Sequence, residues 1–130
     1  MSNKIVIVDD DRITRAILEK ALIIRGFWVY SAKDGAEGYE LVKREKPDLL
    51  ISDMLIPKIH GLDLCRKIKE SPDLRDVKII LMTAVYKNIA LIQEAKASGA
   101  DEFIEKPLNI ENVIKLINKL LNKEEESNSH

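Results

Sequence analysis

Residues 4–11 read KIVIVDDD. A run of β-branched residues stops abruptly at three aspartates. Lys4 to Val8 has the length and composition of a strand buried on both faces. The same device recurs along the chain. DLLIS (Asp48 to Ser52) stops at Asp53, VKIILM (Val77 to Met82) stops at Thr83, and DEFIE (Asp101 to Glu105) stops at Lys106 and Pro107. FWVYS (Phe27 to Ser31) is a further strand, placed second in the chain.

Helical periodicity fills the intervals, which is the signature of βαβ units. The first helix is expected to bury Ile13, Ile17, Ala21 and Leu22 and to close at Gly26, a natural C′ residue. Asp34 can cap a second helix running to about Glu45, where Pro47 stops it. Gly38 lies inside that helix at a cost of about 1 kcal/mol relative to Ala, so its local support is the poorest. A loop with Pro57 and Gly61 leads to a third helix carrying Leu62, Cys65 and Ile68. A fourth runs from about Lys87 to Ser98 and ends at Gly99. Asn109 can cap the last, which presents Ile110, Val113, Ile114, Ile117, Leu120 and Leu121 as one apolar stripe. With right-handed crossovers, these units predict an α/β fold: a doubly wound, five-stranded parallel sheet with two helices on one face and three on the other. Periodicity alone leaves the strand order open.

The chain has 130 residues, enough for one domain with a single core. Apolar residues make up 45% and charged residues 33%, as expected of a soluble globular protein. A net charge of −1 gives no basis for a nucleic-acid or anionic-membrane surface. No apolar stretch approaches the roughly 20 residues of a membrane span. The single cysteine, Cys65, reads as a core thiol and points to a reducing, cytoplasmic setting. The first residues, MSNKIVIVDD, enter a strand at once, without the layout of a signal peptide. The domain is expected to span residues 1–123, with 124–130 a charged tail or the start of a linker. Trp28, Tyr30 and the two histidines form no catalytic or metal-ligand pattern.

In an open parallel sheet all strand ends of one polarity lie on one edge, and ligands bind there. Asp9, Asp10, Asp11, Asp53, Thr83 and Lys106 should therefore converge. Two carboxylates 4 Å apart repel by about 4 kcal/mol at an effective dielectric of 20. A bound cation relieves that repulsion. Hard oxygen ligands suit Mg²⁺, with Mn²⁺ as an alternative, because Mg²⁺ takes one or two carboxylates and keeps waters or phosphate oxygens. Asp11 can equally be a helix cap. Lys106, held extended by the following proline, faces the acids. The Thr83 hydroxyl has the reach to hydrogen-bond a phosphoryl oxygen carried by Asp53.

These motifs resemble a known family. VDDD at 8–11, ISDMLIPKIHG at 51–61, LMTA at 81–84 and GADEFIEKP at 99–107 are similar to the receiver domain of two-component response regulators. The resemblance implies the flavodoxin-like, CheY-like strand order 2-1-3-4-5. It implies that Asp53 is the phosphoacceptor, and that Asp10, Asp53 and the Leu55 backbone carbonyl hold Mg²⁺ directly while Asp9 acts mainly through water. It gives Thr83 and Lys106 to the phosphoryl oxygens and makes Thr83 and Phe103 the switch pair. The expected partners are a sensor histidine kinase or phosphotransfer protein, and an output partner on the helix 4–strand 5–helix 5 surface. A phosphorylation-dependent homodimer is a further expectation. Enzymatic activity beyond self-catalysed phosphorylation and dephosphorylation is not expected.

Four residues bear on the common pattern: His60 stands where an Asp is frequent, Leu108 where an aromatic is frequent, and Leu55 and Val85 leave both variable positions beside the site apolar. Two other functions compete. A flavodoxin-like cofactor binder would place phosphate against the loop after the first strand, where three aspartates would repel it. An aspartate-nucleophile phosphohydrolase commonly needs a second acid two residues beyond the nucleophile, and Leu55 stands there. A receiver kept only as a scaffold should lack a site residue, and none is missing.

Overall fold

The computed structural model describes residues 3–55, 60–83 and 89–122. Strands and helices alternate: β1 (Lys4–Val8), α1 (Arg12–Ile24), β2 (Trp28–Ala32), α2 (Gly35–Glu45), β3 (Leu49–Asp53), α3 (Gly61–Glu70), β4 (Lys78–Thr83), α4 (Ile89–Ala97), β5 (Glu102–Glu105) and α5 (Ile110–Leu120). All neighbouring strands pair in parallel, in the order β2-β1-β3-β4-β5. Strand alternation divides the core. Ile5, Ile7, Leu49, Ile51, Ile80 and Met82 pack under Leu18 and Leu22 of α1 and Val113 and Ile117 of α5. Val6, Val8, Leu50, Ile79 and Leu81 pack under α2, α3 and α4, against Leu41, Val42, Leu64, Cys65, Ile68 and Ala95. The division of two helices and three is the expected one.

The helix ends carry the expected chemistry. Asp11, Asp34 and Asn109 each accept the backbone N–H three residues on. Gly26 and Gly99 follow α1 and α4 with φ of +92° and +100°, the left-handed region that favours glycine. Gly38 has a packing reason to outweigh its propensity cost. A Cβ there would lie 2.6 Å from Val8 Cγ2, so its absence lets α2 settle onto β1. Strands β2, β3 and β4 each start and end one residue later than the sequence predicts, which brings Asp53 into β3 and Thr83 into β4. Val85, Pro57, the expected start of the fourth helix at Lys87 and the tail from residue 123 lie outside the described residues.

The predicted inner face of α1 is corrected. Ile13 and Ile17 are 69% and 52% exposed, and Ile23 and Ile24 are exposed with them. Leu18 and Leu22 are the buried pair. Ile13 and Leu22 are nine residues apart, and at about 100° per residue that is two and a half turns, so they lie on opposite sides. The Asp11 cap and a hydrogen bond from Arg15 to the Asp9 carbonyl turn the leucine side inward.

Candidate functional site

Backbone hydrogen bonds continue the sheet just past its strand ends and set the level of the site. Asp9 N–H donates to the Ala32 carbonyl, Met54 N–H to Met82, and Lys106 N–H to Thr83. Residues from four strand ends are thereby fixed along one edge. Val8 is paired with Ser52, so Asp9 stands level with Asp53 and on the same side of the sheet.

Asp9 is fully buried. Its Oδ1 accepts the Asp11 N–H at 2.8 Å, and its Oδ2 accepts Lys106 Nζ at 2.9 Å. Lys106 Nζ also donates to Asp53 Oδ2 at 2.8 Å. One ammonium therefore bridges two carboxylates from different strands. Burial works to lower the Lys106 pKa, but hydrogen bonds and charge from Asp53 and Asp9 together outweigh it and hold the pKa above its ordinary value. The other oxygen of Asp53 accepts the Leu55 N–H at 3.2 Å. Both oxygens of Asp53 are thus held, one by an amide and one by a cation.

Asp10 is exposed at the mouth. One carboxylate oxygen from each of Asp9, Asp10 and Asp53 lies within 4.8 Å of the others. In an octahedral Mg²⁺ shell trans oxygens lie about 4.2 Å apart and cis oxygens about 3.0 Å, so at most one pair of these three can be trans and the set must close around the ion or reach it in part through water. An all-oxygen set with solvent at one side fits the ion. Asp11 stands apart from it. Its carboxylate accepts both the hydroxyl and the N–H of Thr14, and the hydroxyl bond above all draws its pKa down. It is a cap.

Thr83 is buried at the end of β4. Phe103 pairs with Leu81, which places it on the same sheet face as Thr83, two residues back from the edge. It is half-buried against the core beneath α2 to α4. The Leu55 side chain is 58% exposed beside Asp53. His60 precedes α3 and gives its first turn no side-chain cap. Cys65 is buried and donates to the Ser98 carbonyl, as a core thiol would.

Two contributors escape the sequence. Gly61 opens α3 directly against the phosphoacceptor candidate: a Cβ there would lie 2.3 Å from the Asp53 carbonyl oxygen. Its proximity to a helix start was the only signal. Arg15 reaches back six residues to the Asp9 carbonyl at 2.7 Å. Nothing in its spacing separates it from a solvated helix arginine.

A sequence profile of the response regulator receiver domain matches residues 5–118. The chain belongs to the response regulator receiver family. It is 36% identical over 121 residues to the response regulator MprA of Mycobacterium leprae, an alignment that covers 91% of this chain and 50% of that protein. The chain spans about half the length of the curated relatives it matches. A putative response regulator from Chloroflexus aurantiacus has a solved structure with a TM-score of 0.88 at 28% identity, covering 95% of this chain and all of that one. The chemotaxis response regulator CheY4 of Vibrio cholerae gives 0.86 at 26% identity, covering 92% of this chain and 99% of that one. The receiver domain is a signalling domain of two-component systems, and its family works with histidine kinases and output domains. No helix among the described residues is long and apolar enough to cross a membrane.

Proposed function

We propose that this receiver takes a phosphoryl group onto the Asp53 carboxylate from a phosphohistidine donor and loses it by hydrolysis. The observation that carries this is the double grip of Lys106 on Asp9 and Asp53 beside a three-carboxylate cluster. Asp53 attacks phosphorus, the phosphorus–nitrogen bond of the donor breaks, and an acyl phosphate forms. Asp10, Asp53 and the Leu55 carbonyl would hold Mg²⁺, with Asp9 contributing through water and through its hold on Lys106. When bound, Mg²⁺ would neutralise charge on the phosphoryl oxygens. Lys106 follows the charge from the carboxylate to the transferred group. The Thr83 hydroxyl takes a further phosphoryl oxygen.

That last contact supplies the switch. Drawing Thr83 toward the phosphoryl group alters packing on the sheet face it shares with Phe103, which biases a two-state surface over α4, β5 and α5. Phe103 lines a groove with Ile104, Asn112, Lys115 and Leu116 at the free edge of β5, where an output partner or a second phosphorylated copy would bind. The exposed Ile13 and Ile17 lie in the first half of α1, which begins directly after the three aspartates, and would offer a donor protein an apolar landing surface. The receiver unit extends to about residue 123, works in the cytoplasm, and does no chemistry beyond its own phosphorylation and dephosphorylation.

Incubation with acetyl phosphate and Mg²⁺ should add one phosphoryl group by intact mass, and Asp53→Asn should remove it. Labelling of that variant at the wild-type rate would overturn the assignment. Beryllofluoride, standing in for the phosphoryl group, should shift amide signals from Thr83 through Leu108. Shifts confined to residues touching the ligand would remove the switch.

A further inference from the structure

Every polar atom of Asp9 is engaged. Its N–H donates to Ala32, its two carboxylate oxygens accept from Asp11 and Lys106, and its carbonyl accepts Arg15 Nη1 at 2.7 Å. The last of these contacts has no part in the scheme above. Arg15 lies on the inward side of α1 with Leu18 and Leu22, which brings its guanidinium to the strand end. The peptide it grips joins Asp9 to Asp10. That peptide is the pivot on which the exposed Asp10 carboxylate turns. Lys106 occupies one oxygen of Asp9 and one of Asp53. The Arg15 contact is with a main-chain oxygen instead, so it takes no ligand oxygen.

We propose that Arg15 is a positioning residue for the phosphoacceptor centre: its grip on the Asp9–Asp10 peptide holds the Asp10 carboxylate where a divalent cation binds. This rests on the reading of Asp10 and Asp53 as cation ligands. A group that orients a ligand from behind is worth roughly 10- to 100-fold in metal affinity. An arginine that merely packed α1 would affect stability and leave metal affinity alone.

The test is calorimetric titration of the whole chain with Mg²⁺ alone, comparing wild type with Arg15→Met and Arg15→Lys, each checked by thermal unfolding. Arg15→Met should bind Mg²⁺ at least about tenfold more weakly while still folded. Arg15→Lys, which keeps a charged donor, should recover most of the loss. The Mg²⁺ concentration giving half-maximal acetyl phosphate labelling should rise in the same ratio, and saturating Mg²⁺ should restore the rate. Should Arg15→Met fail to fold, Arg15→Gln replaces it with the same expectation. Equal Mg²⁺ affinity in wild type and the folded variant overturns the role of Arg15 alone. Absence of Mg²⁺ binding by wild type overturns the functional reading beneath it.

Discussion

Replacing Gly61 with alanine should damage phosphoryl transfer more than it damages the fold. The added Cβ would stand 2.3 Å from the Asp53 carbonyl oxygen, 2.8 Å from Met54 Cα and 3.1 Å from the Asp53 carbonyl carbon. Each of those atoms is backbone, so none can swing aside as a flexible side chain could. Gly61 N–H also donates to the Met54 carbonyl at 3.0 Å, which ties α3 to the same short segment. Restoring ordinary contact requires a relative shift of about 1 Å, and a misplacement of that size costs up to about 100-fold in a reaction that depends on in-line geometry. Overpacking of this kind costs about 1–3 kcal/mol in stability, which leaves an ordinary domain folded. The assay is the initial rate of acetyl phosphate labelling at saturating Mg²⁺, by intact mass, at a temperature where thermal unfolding shows both proteins native. The expected result is a rate reduced at least tenfold with the native fraction unchanged. Labelling of the folded Gly61→Ala protein at the wild-type rate would refute the idea that this close approach positions the acceptor.

Lys106→Met should reduce acetyl phosphate labelling by about 10²- to 10³-fold, the usual loss when one preorganised donor to a developing charge is removed. The folded pKa of Lys106 lies above its unfolded value, so its ionic contacts stabilise the fold fully below that unfolded value and fade only as pH rises through the folded one. The difference in unfolding temperature between wild type and Lys106→Met should therefore stay level from neutral pH up to the ordinary lysine value of 10.5. Leu55→Asn should shorten the phosphoryl lifetime roughly fivefold, the equivalent of one water-orienting hydrogen bond of about 1 kcal/mol, measured as decay of the added mass after donor removal. Ile13→Glu together with Ile17→Glu should slow transfer from a protein phosphohistidine donor while leaving acetyl phosphate labelling intact, since both side chains project to solvent away from the core.

The fold was legible because its strands are short, apolar and cleanly punctuated. KIVIV ending in aspartates and KIILM ending in Thr83 need no tertiary context to be recognised. Strand order was less so, since parallel pairing is decided by crossover packing that a single strand does not record. The buried face of α1 is hidden in the sequence for a related reason. Apolar residues sit on both sides of that helix, and only the loop contacts of Asp11 and Arg15 select Leu18 and Leu22. Within the site, Asp9, Asp10, Asp53 and Lys106 announced themselves because charged residues at the ends of buried strands have few structural reasons to be there. Gly61 and Arg15 did not. What each contributes is a close approach or a main-chain hydrogen bond, and both depend on how α3 and α1 dock rather than on residue spacing.

In the proposed reaction the Asp53 carboxylate itself becomes an acyl phosphate. Borohydride reduces an acyl phosphate to an alcohol and leaves free carboxylates unchanged, so it marks the acceptor permanently. After acetyl phosphate and Mg²⁺ treatment, reduction and tandem mass spectrometry should place the reduced side chain at position 53 and leave Asp9, Asp10 and Asp11 as carboxylates. Reduction at one of those three aspartates, or phosphoryl incorporation with no reducible acyl group, would rule out Asp53 as the acceptor.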